Sequence, residues 1–279
     1  MPELPEVETV RRDLDPLLTG DTIVSVEVLR TKTVAYPGIQ DFCQMLTGKQ
    51  FTHWQRRGKY LLGSFTTGEH LAIHLRMTGQ LLWVDPSLPL SSHTRIRFGL
   101  QSKQELRFDD QRTFGQLWAI PAGQDPTAVI RPLQSLGPEP FSQEFSSEYL
   151  TYRLQRIHRP IKSALLDQTL VAGLGNIYAD ETLFLSQIHP ETPSHHLTLH
   201  QIQILHARIQ AVLTSALEQR GSSIRSYRDA LGINGNYQGI AWVYGRKGQQ
   251  CRLCQTPIQV LRLSGRSSHF CPTCQSPRQ

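Results

Sequence analysis

Apolar residues recur at three- and four-residue intervals at the start of the chain. Val7, Val10, Leu14 and Leu17 fall on one stripe of a helix, and Gly20 follows as a stop. Pro5 is tolerated near the helix start, where its missing N–H costs nothing. Pro16 is expected to distort the last turn. Across residues 22–121 the rhythm shortens. Thr22–Leu29 is dense in β-branched residues, Leu71–Leu75 and Leu81–Val84 are short apolar runs, and Thr94–Leu100 alternates with Ile96, Phe98 and Leu100 on one face. Leu106–Phe108 and Gln116–Ile120 complete the set. Many short strands separated by turn residues predict a sandwich or barrel.

The pattern breaks after Pro121. Pro126, Pro132, Pro138 and Pro140 mark a linker-like crossing. Helices dominate from about Ser146. The clearest runs over Thr198–Gln219, with Leu199, Ile202, Leu205, Ile209, Val212, Leu213 and Ala216 on one stripe and Gly221 beyond it. Past residue 240 the chain turns to short strands, turns and cysteines. There is no internal repeat and no low-complexity tract. The fold class expected is α+β, and 279 residues suggest two domains at roughly 100–200 residues each.

Composition excludes several classes. Hydrophobic residues make up 39%, enough for packed cores. No apolar run approaches the roughly 18 residues of a membrane span. The acidic, proline-rich start lacks the basic and apolar regions of a secretory signal, so a cytoplasmic protein is expected. The formal net charge is +6, unevenly placed: residues 220–279 carry nine Lys/Arg against Asp229 alone, while the rest holds 20 basic and 22 acidic residues. A basic C-terminal stretch on a near-neutral body suits a polyanion partner or a solubilising tail.

Four of the five cysteines form two pairs, Cys251-x-x-Cys254 and Cys271-x-x-Cys274, sixteen residues apart. Each pair on a tight turn aims two thiolates at one point. Two such turns make a tetrahedral site for one Zn²⁺, and four protein ligands make it structural. Thr256–Phe270 between the pairs suits a β-hairpin, with Arg266 near its tip. There the guanidinium either presses on phosphates or is an ordinary solvated charge. Cys43, in an apolar stretch, reads as a buried, inert thiol. Gly173-Leu174-Gly175-Asn176 places Asn176 to cap a helix over 177–187. That turn is either a phosphate-binding helix N-terminus or a plain connector.

Several of these segments converge. Met1-Pro2-Glu3-Leu4-Pro5-Glu6-Val7-Glu8, Arg56-Arg57-Gly58-Lys59-Tyr60, Gly173-Leu174-Gly175-Asn176-Ile177-Tyr178 and the four-cysteine hairpin with Arg266 resemble the formamidopyrimidine-DNA glycosylases, in the family's order from residue 2 to residue 274. The resemblance implies an N-terminal catalytic β-sandwich domain with its N-terminal helix over 1–135. It further implies a helix-two-turns-helix DNA-binding region over 136–240 and a four-cysteine zinc finger over 241–279. It implies a base-excision repair enzyme that removes oxidised purines (8-oxoguanine, formamidopyrimidines) and cuts the strand by β,δ-elimination. Its partner is damaged double-stranded DNA. It is a monomer, bound to the nucleoid of a bacterial cytoplasm, with no membrane partner.

The resemblance also assigns residues. Pro2, exposed once Met1 is removed, is the nucleophile. α-Amino groups titrate near roughly 7.7–8.0, so a neutral fraction exists at cellular pH to attack C1′. Glu3 protonates the deoxyribose ring oxygen, Glu6 helps hold the N-terminal turn, and Lys59 meets the reacting phosphates. Glu8 reads as a solvated face. Met77, Arg112 and Phe114 fill the duplex after base extrusion, although Met77 and Phe114 read equally as core residues. His93, Arg112, Lys162, Asn176 and Arg266 contact DNA, and Gly221–Tyr227 matches the loop over the extruded base. One departure stands out: Thr113 replaces the second of two consecutive arginines common in the family. Two other readings remain, an endonuclease VIII-like enzyme for oxidised pyrimidines and a non-catalytic zinc DNA-binding protein. The latter has no use for Pro2, Glu3 and Lys59 together.

Overall fold

The computed structural model describes residues 1–223 and 227–276. It divides into two compact units, Met1–Gln134 with Arg220–Gly235, and Ser135–Gln219 with Asn236–Gln279.

The first unit opens with helix α1, Leu4–Leu18. Val7, Val10, Leu14 and Leu18 are fully buried, while Leu17 is only partly so. Pro16 sits in the final turn, and the helix ends where Thr19 N–H reaches the Asp15 carbonyl. The Asp15 carboxylate accepts Trp54 N–H at 2.7 Å, which fixes α1 on the sheet beneath it.

Nine strands follow: β1 Ile23–Val28, β2 Val34–Tyr36, β3 Phe51–Arg57, β4 Tyr60–Phe65, β5 His70–His74, β6 Gly79–Val84, β7 Thr94–Leu100, β8 Glu105–Asp110 and β9 Gln116–Ile120. They form a four-stranded sheet in the order β1-β7-β8-β6 and a five-stranded sheet in the order β2-β9-β5-β4-β3. β2 and β9 run parallel; the other pairs are antiparallel. β7 buries alternate residues as its pattern requires. Ile96, Phe98, Leu106 and Phe108 of one sheet and Leu61, Leu71, Ile73 and Leu117 of the other share one core with α1, which makes this unit a β-sandwich.

Two features go beyond the pattern. Helix α2, Ile39–Leu46, buries Phe42 and Leu46. Cys43 rides on it half-buried rather than buried, and the desolvation it does undergo pushes its thiol up. Residues 220–235 also return to this unit. Arg220 reaches Asp13 on α1 at 2.7 Å and Asp229 at 2.6 Å. Tyr227 and Ala230 join the sandwich core.

The sandwich unit also holds the short helices α3 Pro126–Val129 and α4 Arg131–Gln134. The second unit holds α5 Ser147–Leu154, α6 Ile161–Leu165, α7 Asn176–Leu185, α8 Leu199–Glu218 and α9 Tyr237–Ile240, then the hairpin β10 Gln259–Leu263 and β11 Arg266–Phe270. Thr198 and Gln201 form a reciprocal cap at the start of α8. Its stripe is buried from Ile202 to Ala216, but Leu199 is 60% exposed, because a first-turn residue overhangs the helix end. Helix α7 starts one residue earlier than expected: Gly175 takes the N-cap position with extended backbone and Asn176 is already helical. Asn176 instead donates from Nδ2 to the Ser267 carbonyl at 3.1 Å.

The most heavily used acceptor of this unit is Glu181 on α7. Its buried carboxylate takes the N–H groups of Trp242, Val243 and Tyr244 at 2.8–2.9 Å and the Tyr237 hydroxyl at 3.3 Å. Burial pushes its pKa up against those donors. The stretch leading to Cys251 is thereby tied to α7. Glu181→Leu leaves three N–H groups without this acceptor, that of Val243 buried and those of Trp242 and Tyr244 partly so; the buried one alone costs about 1–3 kcal/mol. Thermal unfolding should show a loss of several degrees or more and weaker zinc retention. Unchanged melting and metal content would mean water replaces the carboxylate.

Candidate active site and zinc centre

The N-terminus of α1 is organised by Glu6. Pro2, Glu3 and Glu6 are all buried. Glu3 N–H donates to Glu6 Oε2 at 2.7 Å, and Ser222 N–H donates to Glu6 Oε1 at 2.8 Å. The Tyr227 hydroxyl reaches the Glu6 carbonyl at 3.3 Å. Burial, reinforced by the nearby Glu6 charge, pushes the Tyr227 phenol far up, so it acts as a donor. Gly221 has φ +79°, and a Cβ there would lie 2.7 Å from Glu6 Oε1. Only glycine lets the carboxylate come this close.

Lys59 sits on the turn between β3 and β4, after Gly58 at φ +56°. Arg56 donates to the Gly58 carbonyl at 3.0 Å and to Glu8 Oε2 at 3.1 Å. Glu8 is therefore no solvated face. It also accepts from Arg11 and Arg12 at 3.0 Å. Burial works against its charge, but Arg11, Arg56 and Arg12 outweigh it and hold the carboxyl below its usual range. Because α1 packs on β3 and β4, Pro2, Glu3 and Lys59 belong to one packed assembly. Under the turn, His74 pairs with Tyr60 across β4 and β5 and accepts Arg76 N–H on Nδ1 at 3.0 Å.

The three expected duplex-filling residues stand on two loops of the same unit. Phe114 is 51% exposed, which rules out the core reading for it, and Arg112 is exposed with its guanidinium 4.7 Å from the Phe114 ring centre. Met77 is half-buried on the β5–β6 turn. His93 is exposed just before β7. A polar cavity of about 560 Å³ opens here, lined among others by Gln80, His93, Asp109, Gln111 and Arg228. Of these five, only His93 is a candidate from the sequence; Gln80, Asp109, Gln111 and Arg228 stand on separate strands and loops that no local pattern links. The part of the expected covering loop at residues 224–226 lies outside the described residues.

In the second unit, Lys162 is fully buried. Its Nζ lies 2.7 Å from Asp180 Oδ1 and donates to the Ser267 carbonyl at 2.6 Å. Asp180 Oδ2 accepts His269 N–H at 2.8 Å and faces His269 Nδ1 at 3.1 Å. Lys162 and Asn176 thus both grip the hairpin beside Arg266. Arg266 is exposed at the start of β11, after a tight turn whose residues Ser264 and Gly265 have positive φ.

The four cysteine sulfurs all lie within 4.8 Å of one another. Separations of 3.9 Å (Cys251–Cys274), 3.4 Å (Cys254–Cys271) and 3.5 Å (Cys254–Cys274) are close to the roughly 3.8 Å edge of a tetrahedron with 2.3 Å Zn–S bonds. The donor set and spacing fit one structural zinc. Ile258, Phe184 and Val243 pack around Cys251 and Cys271.

A helix-led sandwich with buried acids at its N-terminus, a helical unit and a four-thiolate hairpin define the class of zinc-bearing DNA-repair glycosylases. Family models cover most of the chain: the formamidopyrimidine-DNA glycosylase N-terminal domain matches residues 1–117, its H2TH domain residues 136–228, and the zinc finger found in FPG and IleRS residues 248–277. Formamidopyrimidine-DNA glycosylase of Gloeobacter violaceus is 54% identical, with 100% of this chain and 99% of that protein aligned. That of Synechococcus sp. is 52% identical, with 99% of each covered. Among solved structures, Lactococcus lactis Fpg bound to DNA containing an abasic site has a TM-score of 0.92 at 38% identity, covering 99% of this chain and all of that one. Thermus thermophilus MutM (Fpg) has a TM-score of 0.89 at 38% identity, with both chains fully covered. The chain belongs to the formamidopyrimidine-DNA glycosylase family, and it is a base-excision repair enzyme with one structural zinc.

His74 gives a pH signature. Burial first, then the Arg76 and Lys59 charges, lower its pKa from 6.5 to about 3. The unfolded chain therefore binds a proton that the native protein refuses. The stability that neutral His74 contributes is complete above pH 6.5 and is lost as pH falls toward 3. Urea unfolding across this window should lose stability with falling pH, and His74→Gln should flatten the slope by up to one proton. An unaltered slope would show that His74 is protonated in the fold.

Proposed function

We propose that the chain excises oxidised purines, 8-oxoguanine and formamidopyrimidines, from duplex DNA and then cleaves the strand, with the amine of Pro2 as nucleophile. Once Met1 is removed, the neutral amine attacks C1′ of the damaged nucleotide. The C1′–N bond to the base breaks as the new C1′–N bond forms. Glu3 donates a proton to the ring oxygen, the sugar opens, and an iminium remains on Pro2. That cation acidifies the sugar protons, so β- and then δ-elimination expel the flanking phosphates, where Lys59 offers its charge.

The observation that carries this reading is the Glu6 bracket. A buried carboxylate that binds Glu3 N–H and Ser222 N–H fixes the backbone beside Pro2, as a positioned nucleophile requires. A further Lactococcus lactis Fpg structure, 37% identical with a TM-score of 0.91, is a complex with Fapy-dG-containing DNA, which supports the substrate class. The polar cavity beside His93 and Arg228 is the seat for the extruded base. Met77, Arg112 and Phe114 fill the gap in the duplex. Arg266 and His93 engage phosphates, and Lys162 and Asn176 serve DNA binding through the Ser267 carbonyl they hold. In this reading residues 1–135 carry catalysis, 136–240 and 241–279 bind DNA, and the protein works as a monomer on cytoplasmic chromosomal DNA.

Glu3→Gln removes a proton donor needed only in the transition state. Single-turnover excision of 8-oxoguanine should fall by roughly 10²–10⁴ with duplex affinity near that of the wild type. A wild-type rate would end the role of Glu3. Faster excision of thymine glycol than of 8-oxoguanine by the wild type would instead favour the endonuclease VIII-like reading.

A further inference from the structure

Asp110, at the end of β8, is 1% exposed; with Thr78 it borders the polar cavity beside His93, and the steps set out above give it no part. Its carboxylate is nonetheless fully engaged. Oδ2 accepts Phe114 N–H at 2.8 Å and Gly115 N–H at 2.7 Å. Oδ1 accepts the Thr78 hydroxyl and Arg112 N–H, the latter at 3.2 Å. Arg112 N–H also lies 3.0 Å from the Thr78 hydroxyl. One carboxylate therefore closes the β8–β9 loop on itself and ties it to the β5–β6 turn.

The backbone of both segments needs holding. Arg76 and Thr113 have φ +55° and +57°, a region that costs non-glycine residues energy, and a β-branched threonine more than most. Gly115 has no room for a Cβ, which would lie 2.4 Å from the Phe108 ring. Gly79 is equally confined, with a Cβ 2.4 Å from the Leu75 carbonyl oxygen. Asp110 itself is fixed by its N–H on the His93 carbonyl at 2.9 Å and by Arg95 on its own carbonyl at 2.8 Å. The carboxylate is thus a rigid post from which two strained loops hang. Of the residues they present, Met77 is partly exposed and Arg112 and Phe114 are exposed.

We propose that Asp110 is the positioning residue of the duplex-filling wedge: through Thr78 and the 112–115 backbone it sets Met77, Arg112 and Phe114 in the register that unstacks the damaged nucleotide. The inference rests on the excision reading above. It predicts a defect confined to base extrusion. Extrusion costs energy in proportion to the stacking that is lost, and an abasic site has no base to unstack. A misregistered wedge should therefore slow excision from a stacked lesion and spare cleavage at an abasic site.

An amide at position 110 offers one oxygen and one NH₂ group, so either the Phe114 and Gly115 N–H groups or Arg112 N–H must face a donor, while the Thr78 hydroxyl can turn to accept from the NH₂ group. With full-length zinc-loaded protein, Asp110→Asn should lower single-turnover excision of 8-oxoguanine by roughly 10- to 100-fold, the scale of a lost hydrogen bond to a charged group. Cleavage of an abasic duplex should stay close to wild type. 2-Aminopurine placed beside the lesion should brighten more slowly, in step with the excision defect; brightening at the wild-type rate would place Asp110 at the seat of the base rather than behind the wedge and would overturn the proposal. Thr78→Val, which unlinks only the β5–β6 turn, should shift the ratio of the two activities in the same direction by a smaller factor, and it carries the test if Asp110→Asn does not fold. Equal loss of both activities would make Asp110 a general fold residue, and unchanged excision in Thr78→Val would show that the loops need no tie; either result overturns the proposal. Wild-type protein that cleaves abasic DNA but excises no base would overturn the excision reading instead.

Discussion

The carboxylate of Glu6 is the constraint on which the catalytic unit turns. It is buried in the first turn of a helix and it spends both oxygens on backbone N–H groups, one beside Pro2 and one after Gly221. Burying a carboxylate costs several kcal/mol unless such donors meet it, so the bond set and the burial require each other. Three consequences follow. The N-terminal residues cannot fray, although chain ends commonly do. Position 221 must be glycine. Residues 220–235 must fold back on the sandwich although the chain reaches them only after α8.

The same economy recurs elsewhere. Asp110, Glu8 and Glu181 each gather several donors around one acid. Glu8 braces Arg56 against the turn that carries Lys59, and Glu181 holds the approach to the first cysteine pair. Lys162 reverses the signs, a buried cation between Asp180 and a hairpin carbonyl. Buried charges of this kind favour one arrangement over its neighbours more than they add net stability. The proposed site, which holds a nucleophile, an acid and a wedge in register, needs that selectivity.

Much of this was legible in the sequence. The alternation of Thr94–Leu100 and the periodicity of α1 and α8 come from local repeats long enough to fix a period. The cysteine spacing prescribes its metal through chemistry. Helix α2 escaped because eight residues with two buried positions hold barely two repeats, and its Cys43 and Met45 suit strand or helix equally. The return of residues 220–235 depends on Arg220 meeting Asp13, 207 positions away, which no local pattern encodes. Asp110 carries no local signal, because the part proposed for it arises from where four donors happen to point. Asn176 was legible as a residue of interest but not as a partner of Ser267, since that contact also spans separate elements.

Catalysis by Pro2 stands or falls on the atom that becomes bonded to DNA. Borohydride reduction during turnover of an 8-oxoguanine duplex, followed by peptide mapping of the trapped protein, locates that atom directly. One adduct is expected, on the amine of Pro2, formed only by chains from which Met1 has been removed. An adduct on Lys59, or undiminished trapping by protein that retains Met1, would contradict it.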